Sequence, residues 1–393
     1  MSPPCGTFRT MLLTYRFRLL PTRRQHRALE RILEAQRELY NAGLEERIDA
    51  YRKAEITRTY IDQCRALTEL RRCDPEVASL PVTIQRWTLK RLDDAYAAFF
   101  RRVKAGMKPG FPRFRGKGRF TTFGFRQFQA IRFRDCQICF TGMPGKLRVH
   151  THRPLPDGAR IRSCTFHRDV KGWAVGLVVD AQVAFPRPPH RVVGVDLGIK
   201  TFAALSDGGF IPSLRAARKA ERRLRVAQRA LGRSAKGSHG RRKMRKAVAR
   251  CYAASARARA NHLHQASARL VRDYDLIVVE NLNIKGLARS VLAKDVRDAA
   301  WGRFLRMLWY KAECAGARVI AVNTCNTSQD CSDCGGRVAK TLDQRVHRCP
   351  HCGLTMDRDL NAARNILNRA GVGPGLRNVA NAACVQAETS IRL

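Results

Sequence analysis

Leu13, Tyr15, Phe17 and Leu19 alternate with Thr14, Arg16 and Arg18, and this period of two predicts a half-buried strand. Pro21-Thr22 then opens a stretch in which Leu29, Ile32, Leu33, Leu39 and Tyr40 return at helical spacing. A second helix is predicted from about Val82 to Val103, with Leu89, Leu92, Tyr96 and Phe99 on one face. The segment from Lys108 to Gly118 is rich in Gly, Pro and Arg. It leads into strand-like sequence in which Phe120, Phe123, Phe125, Phe128, Ile131 and Phe133 are interleaved with arginines. More β sequence follows from about Leu147 to Val183, and the proline cluster Phe185-Pro-Arg-Pro-Pro189 reads as a linker.

Beyond that linker the pattern changes. Val192, Val193 and Val195 lie in a buried strand ending at Asp196, and Lys200 to Leu205 with Phe210 and Ile211 continues it as a meander. Leu214 to Asp273 is helical and very basic, interrupted at Lys236-Gly-Ser-His-Gly240, so a helical hairpin is expected. Leu276 to Val279 is a second buried strand, Val296 to Ala315 a helix, Val319 to Val322 a third strand and Leu360 to Leu367 a closing helix. This succession is that of an α/β, RNase H-like (RuvC) fold.

Charge narrows the function. Lys and Arg number 75 against 32 Asp and Glu, a formal net charge of +43. Self-repulsion of that size opposes compaction unless a polyanion neutralises it, so the partner expected is nucleic acid. No apolar run is long enough to span a bilayer, and Met11 to Leu13 is interrupted at once by Thr14, Arg16 and Arg18, unlike a secretory leader. The expectation is a cytoplasmic protein associated with nucleic acid rather than membrane. Arginine and lysine crowd the hairpin from Arg215 to Arg259, where phosphate contact is expected over a merely solvated face. The Phe/Arg alternation from Arg113 to Arg134 is read as rings filling a β core with arginines facing the nucleic acid; base stacking is the other reading.

Three acids stand at the ends of elements. Asp196 closes Val-Val-Gly-Val-Asp, Glu280 closes Leu-Ile-Val-Val-Glu, and Asp359 opens the last helix. Carboxylates at strand ends lie at the sheet edge where α/β folds place their sites, and three of them together call for magnesium or manganese. Such ions activate water and stabilise a leaving oxygen in phosphodiester cleavage. Any one of the three alone is more ordinarily a turn former or helix cap. Asp359 in particular could simply cap its helix, and Asp357 is close enough to compete with it for the catalytic role.

Of the fourteen cysteines, four form two CxxC pairs, Cys331 with Cys334 and Cys349 with Cys352, each followed by a glycine. Fourteen residues separate the pairs, the spacing of a zinc ribbon in which four thiolates close a tetrahedron around a structural ion. His351 lies between ligands and is not needed as one. Cys136 and Cys139, with no second pair at matching distance, are read as packing residues.

These motifs resemble the TnpB family of insertion sequences, itself similar to type V CRISPR effectors. Gly194-Val-Asp-Leu-Gly198 is similar to its first RuvC motif, Val279-Glu-Asn-Leu-Asn283 to the second and Asp357-Arg-Asp-Leu-Asn-Ala-Ala-Arg-Asn365 to the third. Thr327-Ser-Gln-Asp-Cys-Ser-Asp-Cys-Gly335 matches the ribbon entry, and Tyr15-Arg-Phe-Arg-Leu-Leu-Pro21 with Pro112-Arg-Phe114 extends the likeness to the N-terminal half. Asn281 stands where the family more often has Asp. The resemblance implies a β-barrel-like, wedge-like domain (1–22 and 106–189) carrying a helical recognition insertion (23–105). It further implies a RuvC nuclease domain (190–325 and 356–370), an inserted zinc ribbon (326–355) and a tail (371–393). The catalytic acids and magnesium ligands would be Asp196, Glu280 and Asp359, the zinc ligands the four cysteines, and the partners a guide RNA and a target DNA cut in the context of transposition. Two other expectations compete: a nucleic-acid-binding repressor with an unused nuclease centre, and an unguided, structure-specific RuvC-type nuclease.

Overall fold

The structure, a computed structural model, describes residues 8–127, 131–156, 158–185, 188–287, 293–323, 326–341 and 343–371. Phe128, part of the linker prolines and nearly all of the tail lie outside the described residues. The chain divides into two compact units, Thr10–Gln182 and Met1–Arg9 with Val183–Leu393.

In the first unit β1 (Phe8–Leu20) runs into α1 (Arg23–Ala54), α2 (Tyr60–Cys73), α3 (Pro75–Ala78) and α4 (Val82–Lys104). Six strands follow: β2 (Thr122–Phe125), β3 (Ile131–Arg134), β4 (Gln137–Phe140), β5 (Leu147–His150), β6 (Arg160–Asp169) and β7 (Gly172–Ala184). The alternation in β1 buries Tyr15, Phe17 and Leu19, and Thr22 starts α1 through a capping box with Gln25. The sheet order is β2-β6-β7-β1-β5-β4-β3. It curls, because Phe125 and Phe166 from one end of that order meet Phe140 from the other, at ring distances of 5.2 and 5.4 Å. Phe120, Phe123, Phe125 and Ile131 are buried in this core, whereas Phe114 is exposed. Helix α2 left little periodic signal in the sequence, since Gln63 and Leu67 are its buried residues. A capping box between Thr59 and Asp62 starts it, and Gln63 holds it by accepting from Arg47 Nε at 2.9 Å.

In the second unit β8 (Val192–Leu197), β9 (Thr201–Leu205) and β10 (Phe210–Pro212) form an antiparallel meander. The hairpin α5 (Ala216–Arg233) and α6 (His239–Asp273) leads to β11 (Leu276–Glu280). Next come α7 (Ile284–Leu287), α8 (Ala293–Ala299), α9 (Trp301–Ala315) and β12 (Arg318–Val322), then β13 (Val346–Arg348), β14 (Thr355–Asp357) and α10 (Arg358–Arg369). The five-stranded order is β10-β9-β8-β11-β12, with β11 parallel to both neighbours. One face buries Val193, Val195, Ile277 and Val279 against Leu263 and Leu270 of α6 and Phe304 and Leu308 of α9. The other packs Leu276 and Val278 on Ile366 of α10. The single helix read across Val296–Ala315 is two, because Ala300 takes a left-handed conformation with φ 55°. That conformation costs a non-glycine residue about 1 kcal/mol or more, offset here by seating Trp301 and Phe304 in the core. Among the described residues, no helix is long and apolar enough to cross a membrane.

Candidate functional site

Strand alternation decides where the acids point. Val195 is paired with Val279 in the parallel register of β8 and β11, so the next positions along it are Asp196 and Glu280. Side chains in register on parallel strands leave the sheet on the same side, here the side opposite Val195 and Val279 and therefore the α10 side. Gly194, two residues before Asp196, shows how close that helix runs. A Cβ at Gly194 would stand 2.1 Å from the Ala363 carbonyl oxygen and 2.9 Å from the Leu367 nitrogen. Only glycine admits the helix backbone at this distance. Asp359 lies one turn before Ala363 on the same helix face, which carries it toward the strand ends.

The electrostatics agree with this placement. Burial, then the negative charges of Glu280 and Asp359, push the Asp196 carboxyl up to about 7, with Arg358 pulling it back and Asp357 adding to the rise. Asp357 and Asp359 have separate positions. Asp357 caps α10, its Oδ1 accepting from the Asp359 and Leu360 N–H groups at 2.8 and 3.2 Å. Asp359, the residue expected as a possible cap, is free of that task. It is instead flanked by Arg358 Nε at 3.5 Å and Arg345 at 3.8 Å. Sequence reasoning gave these two arginines no role, although Arg358 stands between the two acids.

The cysteines form a second centre. Among the described residues, they are the group of metal-ligand side chains whose donor atoms all lie within 4.8 Å of one another; the three acids form no group that tight. The two knuckles repeat one backbone pattern. Gly335 N–H donates to the Cys331 carbonyl and Gly353 N–H to that of Cys349, both at 3.0 Å. Each glycine has a positive φ, 74° and 76°, which the tight turn requires. Sγ atoms of Cys331 and Cys352 are 3.6 Å apart, and those of Cys334 and Cys349 3.5 Å. A tetrahedral zinc with Zn–S bonds of about 2.3 Å spaces its sulfurs by about 3.8 Å, so the quartet fits the ion. Burial opposes ionisation of Cys349, but the N–H groups of Cys352 and His351 outweigh it and bring the thiol down to about 6. His351 is outside the quartet and packs against Gly336.

Three asparagines, two of them inside the third motif but without a role in the sequence reading, tie the two centres together. Asn361 accepts from Ser332 N–H at 3.0 Å and donates to the Asp330 carbonyl at 2.8 Å. Asn365 donates to the Thr327 and Asp330 carbonyls at 2.8 and 2.7 Å, and Asn368 to that of Ser332 at 3.0 Å. One polar face of α10 thus holds the chain entering the first knuckle, while the start of the same helix carries Asp359.

Comparison with known proteins follows this division. Residues 177–291 match the family OrfB_IS605, described as a probable transposase, and residues 301–366 match the TNB domain of Cas12f1-like proteins. Residues 11–55 match a helix-turn-helix domain, yet here they are a strand followed by the unbroken helix α1. A putative RNA-guided DNA endonuclease of Streptomyces pristinaespiralis is 32% identical over 90% of this chain and 88% of its own. The putative RNA-guided DNA endonuclease InsQ of Escherichia coli K12 is 26% identical over 91% and 92%. In a complex of Cas12f1 with guide RNA and target DNA, the protein superposes with a TM-score of 0.56 at 16% identity, covering 88% of this chain and 83% of that one, which establishes a shared fold. With a relative this similar along nearly its whole length, the chain belongs to the TnpB family of probable transposases.

Proposed function

We propose that this protein is an RNA-guided DNA endonuclease of a transposable element, with a RuvC, RNase H-like catalytic domain. The observation that carries the proposal is the convergence at Asp196, whose carboxyl is raised to about 7 by burial and by the charges of Glu280 and Asp359. Oxygen donors that repel one another in this way fit a hard divalent cation, and Asp196, Glu280 and Asp359 would hold magnesium or manganese. When bound, paired ions of this kind activate water and stabilise the departing oxygen of a phosphodiester. The chain's own residues perform the positioning. The strand ends fix Asp196 and Glu280 side by side, and the Asp357 cap sets the first turn of α10 so that Asp359 faces them. Arg345 and Arg358 supply positive charge where a scissile phosphate would lie. Cys331, Cys334, Cys349 and Cys352 would hold a structural zinc. The curled sheet and helices of the N-terminal unit would grip guide RNA and target DNA, with a formal charge of +43 to be neutralised.

The deciding experiment incubates wild type and Asp196→Ala with magnesium, co-purified RNA and a matching duplex. Wild type is expected to cut while the variant binds equally and does not, a fall of about a thousandfold or more for loss of an ion-binding acid. Equal cleavage by both would remove the nuclease reading. Binding without cleavage by wild type would favour the repressor, and cutting of branched DNA with no RNA present the unguided nuclease.

A further inference from the structure

The N-terminal unit exposes a group of aromatic rings that its own core does not use. Phe100, at the end of α4, is 60% exposed; Phe111 and Phe114, in the loop that follows, are 47% and 55% exposed. The rings of Phe100 and Phe111 are held in place. Phe111 stands edge-on to Tyr96 and Phe99, at 5.6 and 5.3 Å with interplanar angles of 84° and 83°, and Phe100 packs on Phe99 at 5.2 Å. Pro112, between the exposed rings, is buried. The far end of the loop is clamped by Asn41, whose side chain accepts from Arg115 N–H at 2.8 Å and donates to the Arg115 carbonyl at 3.1 Å. Arg37 donates to the same carbonyl at 3.3 Å.

The charge around the rings selects their partner. Between Asp94 and Asp135 the sequence contains no acidic residue, while Arg101, Arg102, Lys104, Lys108, Arg113 and Arg115 flank the exposed phenylalanines along the chain. A second copy of the chain would bring a like-charged patch, and a lipid-inserting surface would leave the fixed edge-on ring geometry without purpose. Unpaired bases satisfy both features, because every base has a face that stacks on a ring and every nucleotide carries a phosphate for a neighbouring cation.

We infer that Phe100, Phe111 and Phe114 form a stacking platform for unpaired bases of a single-stranded nucleic acid, with the surrounding arginines and lysines holding its phosphates. The inference rests on the reading that this chain holds nucleic acid, and it names the place and the contact. The phenylalanines supply sequence-tolerant stacking, and the cations supply the salt-dependent part of the affinity.

The test measures binding of short adenine-only RNA and DNA oligonucleotides, and of abasic oligonucleotides of the same length, to the full chain without magnesium. Wild type is expected to prefer the base-bearing strand by about tenfold or more, the scale of a stacked ring. Combined Phe100→Ala, Phe111→Ala and Phe114→Ala substitution should abolish that preference while leaving abasic binding and its salt dependence unchanged. Tryptophan at the same positions should retain it. The RNA and DNA arms show which strand the platform takes. A preference unchanged in the alanine variant, or absent from wild type, overturns the inference. So does a loss confined to self-association in light scattering, which would make the rings a contact between copies. Wild type that cuts guided target but shows no base preference counts against the platform alone; wild type that shows the preference but never cuts counts against the nuclease alone.

Discussion

The cysteine centre and the carboxylate centre share helix α10 as a neighbour but are built on opposite plans. The cysteines come from two short turns of identical backbone pattern, and their sulfurs already sit at the spacing of one tetrahedral ion. The acids come from two strands and a helix far apart in sequence, and their oxygens are not drawn together as tightly. A local turn fixes its own geometry through backbone hydrogen bonds, whereas a site assembled across a sheet edge depends on the packing behind it. The first plan suits an ion that is never released. Under the proposed function, the second would leave room for a substrate phosphate among the ligands, at the expense of like charges held close.

That contrast makes zinc removal the largest expected effect. Structural zinc in small ribbons contributes on the order of 10 kcal/mol to local folding, so chelation or Cys349→Ser should open residues 326–357 to protease. Because Asn361, Asn365 and Asn368 fasten α10 to that segment, cleavage activity should fall with it. Protease sensitivity unchanged after chelation would show that the sulfurs hold no structural ion.

Gly194→Ala comes next. The added Cβ meets backbone atoms of α10 at 2.1 and 2.9 Å, so the helix must shift, at about 3 kcal/mol in urea denaturation. Cleavage should be lost in this variant under conditions where it remains folded. Wild-type stability would mean that α10 does not pass over β8 this closely.

Asp196 separates the centres by pH. Its folded pKa of about 7 lies above the ordinary 3.8, so its protonated form favours the fold. The stabilisation is complete below about pH 4 and is lost as pH rises through about 7. In zinc-loaded protein without added magnesium, wild type should therefore lose about 2 kcal/mol more than Asp196→Asn between pH 5 and pH 8. Parallel pH profiles for the two proteins would count against the crowded acid. The smallest effect is expected from Asn365→Leu. It leaves the Thr327 and Asp330 carbonyls without this donor and should cost about 1–2 kcal/mol, with a larger fall in cleavage rate than in DNA affinity. Equal falls in both would make the asparagine merely structural.

What the sequence disclosed follows the same division. Asp196 and Glu280 were legible because each ends an otherwise apolar strand, and the cysteines because their spacing is the chemistry. The choice between Asp357 and Asp359 was not, since both lie within one turn and only backbone geometry shows which caps the helix. The three asparagines were hidden because polar residues at helical spacing look like a solvated face until their partners are placed. Helix α2 was hidden for a related reason: a buried glutamine, Gln63, holds its inner face beside Leu67. The break falls on Ala300, which is neither glycine nor proline, while the nearby Gly302 lies inside α9; packing of Trp301 and Phe304 accompanies it. The exposed Phe111 and Phe114 were indistinguishable by composition from the buried Phe120 and Phe123.

Whether residues 196, 280 and 359 share divalent ions is most directly measured by titrating the zinc-loaded full chain with manganese and counting bound ions by electron paramagnetic resonance. The account predicts bound manganese in wild type that is lost or sharply weakened in each of Asp196→Ala, Glu280→Ala and Asp359→Ala, and unchanged in Asp333→Ala, a control in the ribbon. Manganese binding that survives all three of these substitutions would contradict it.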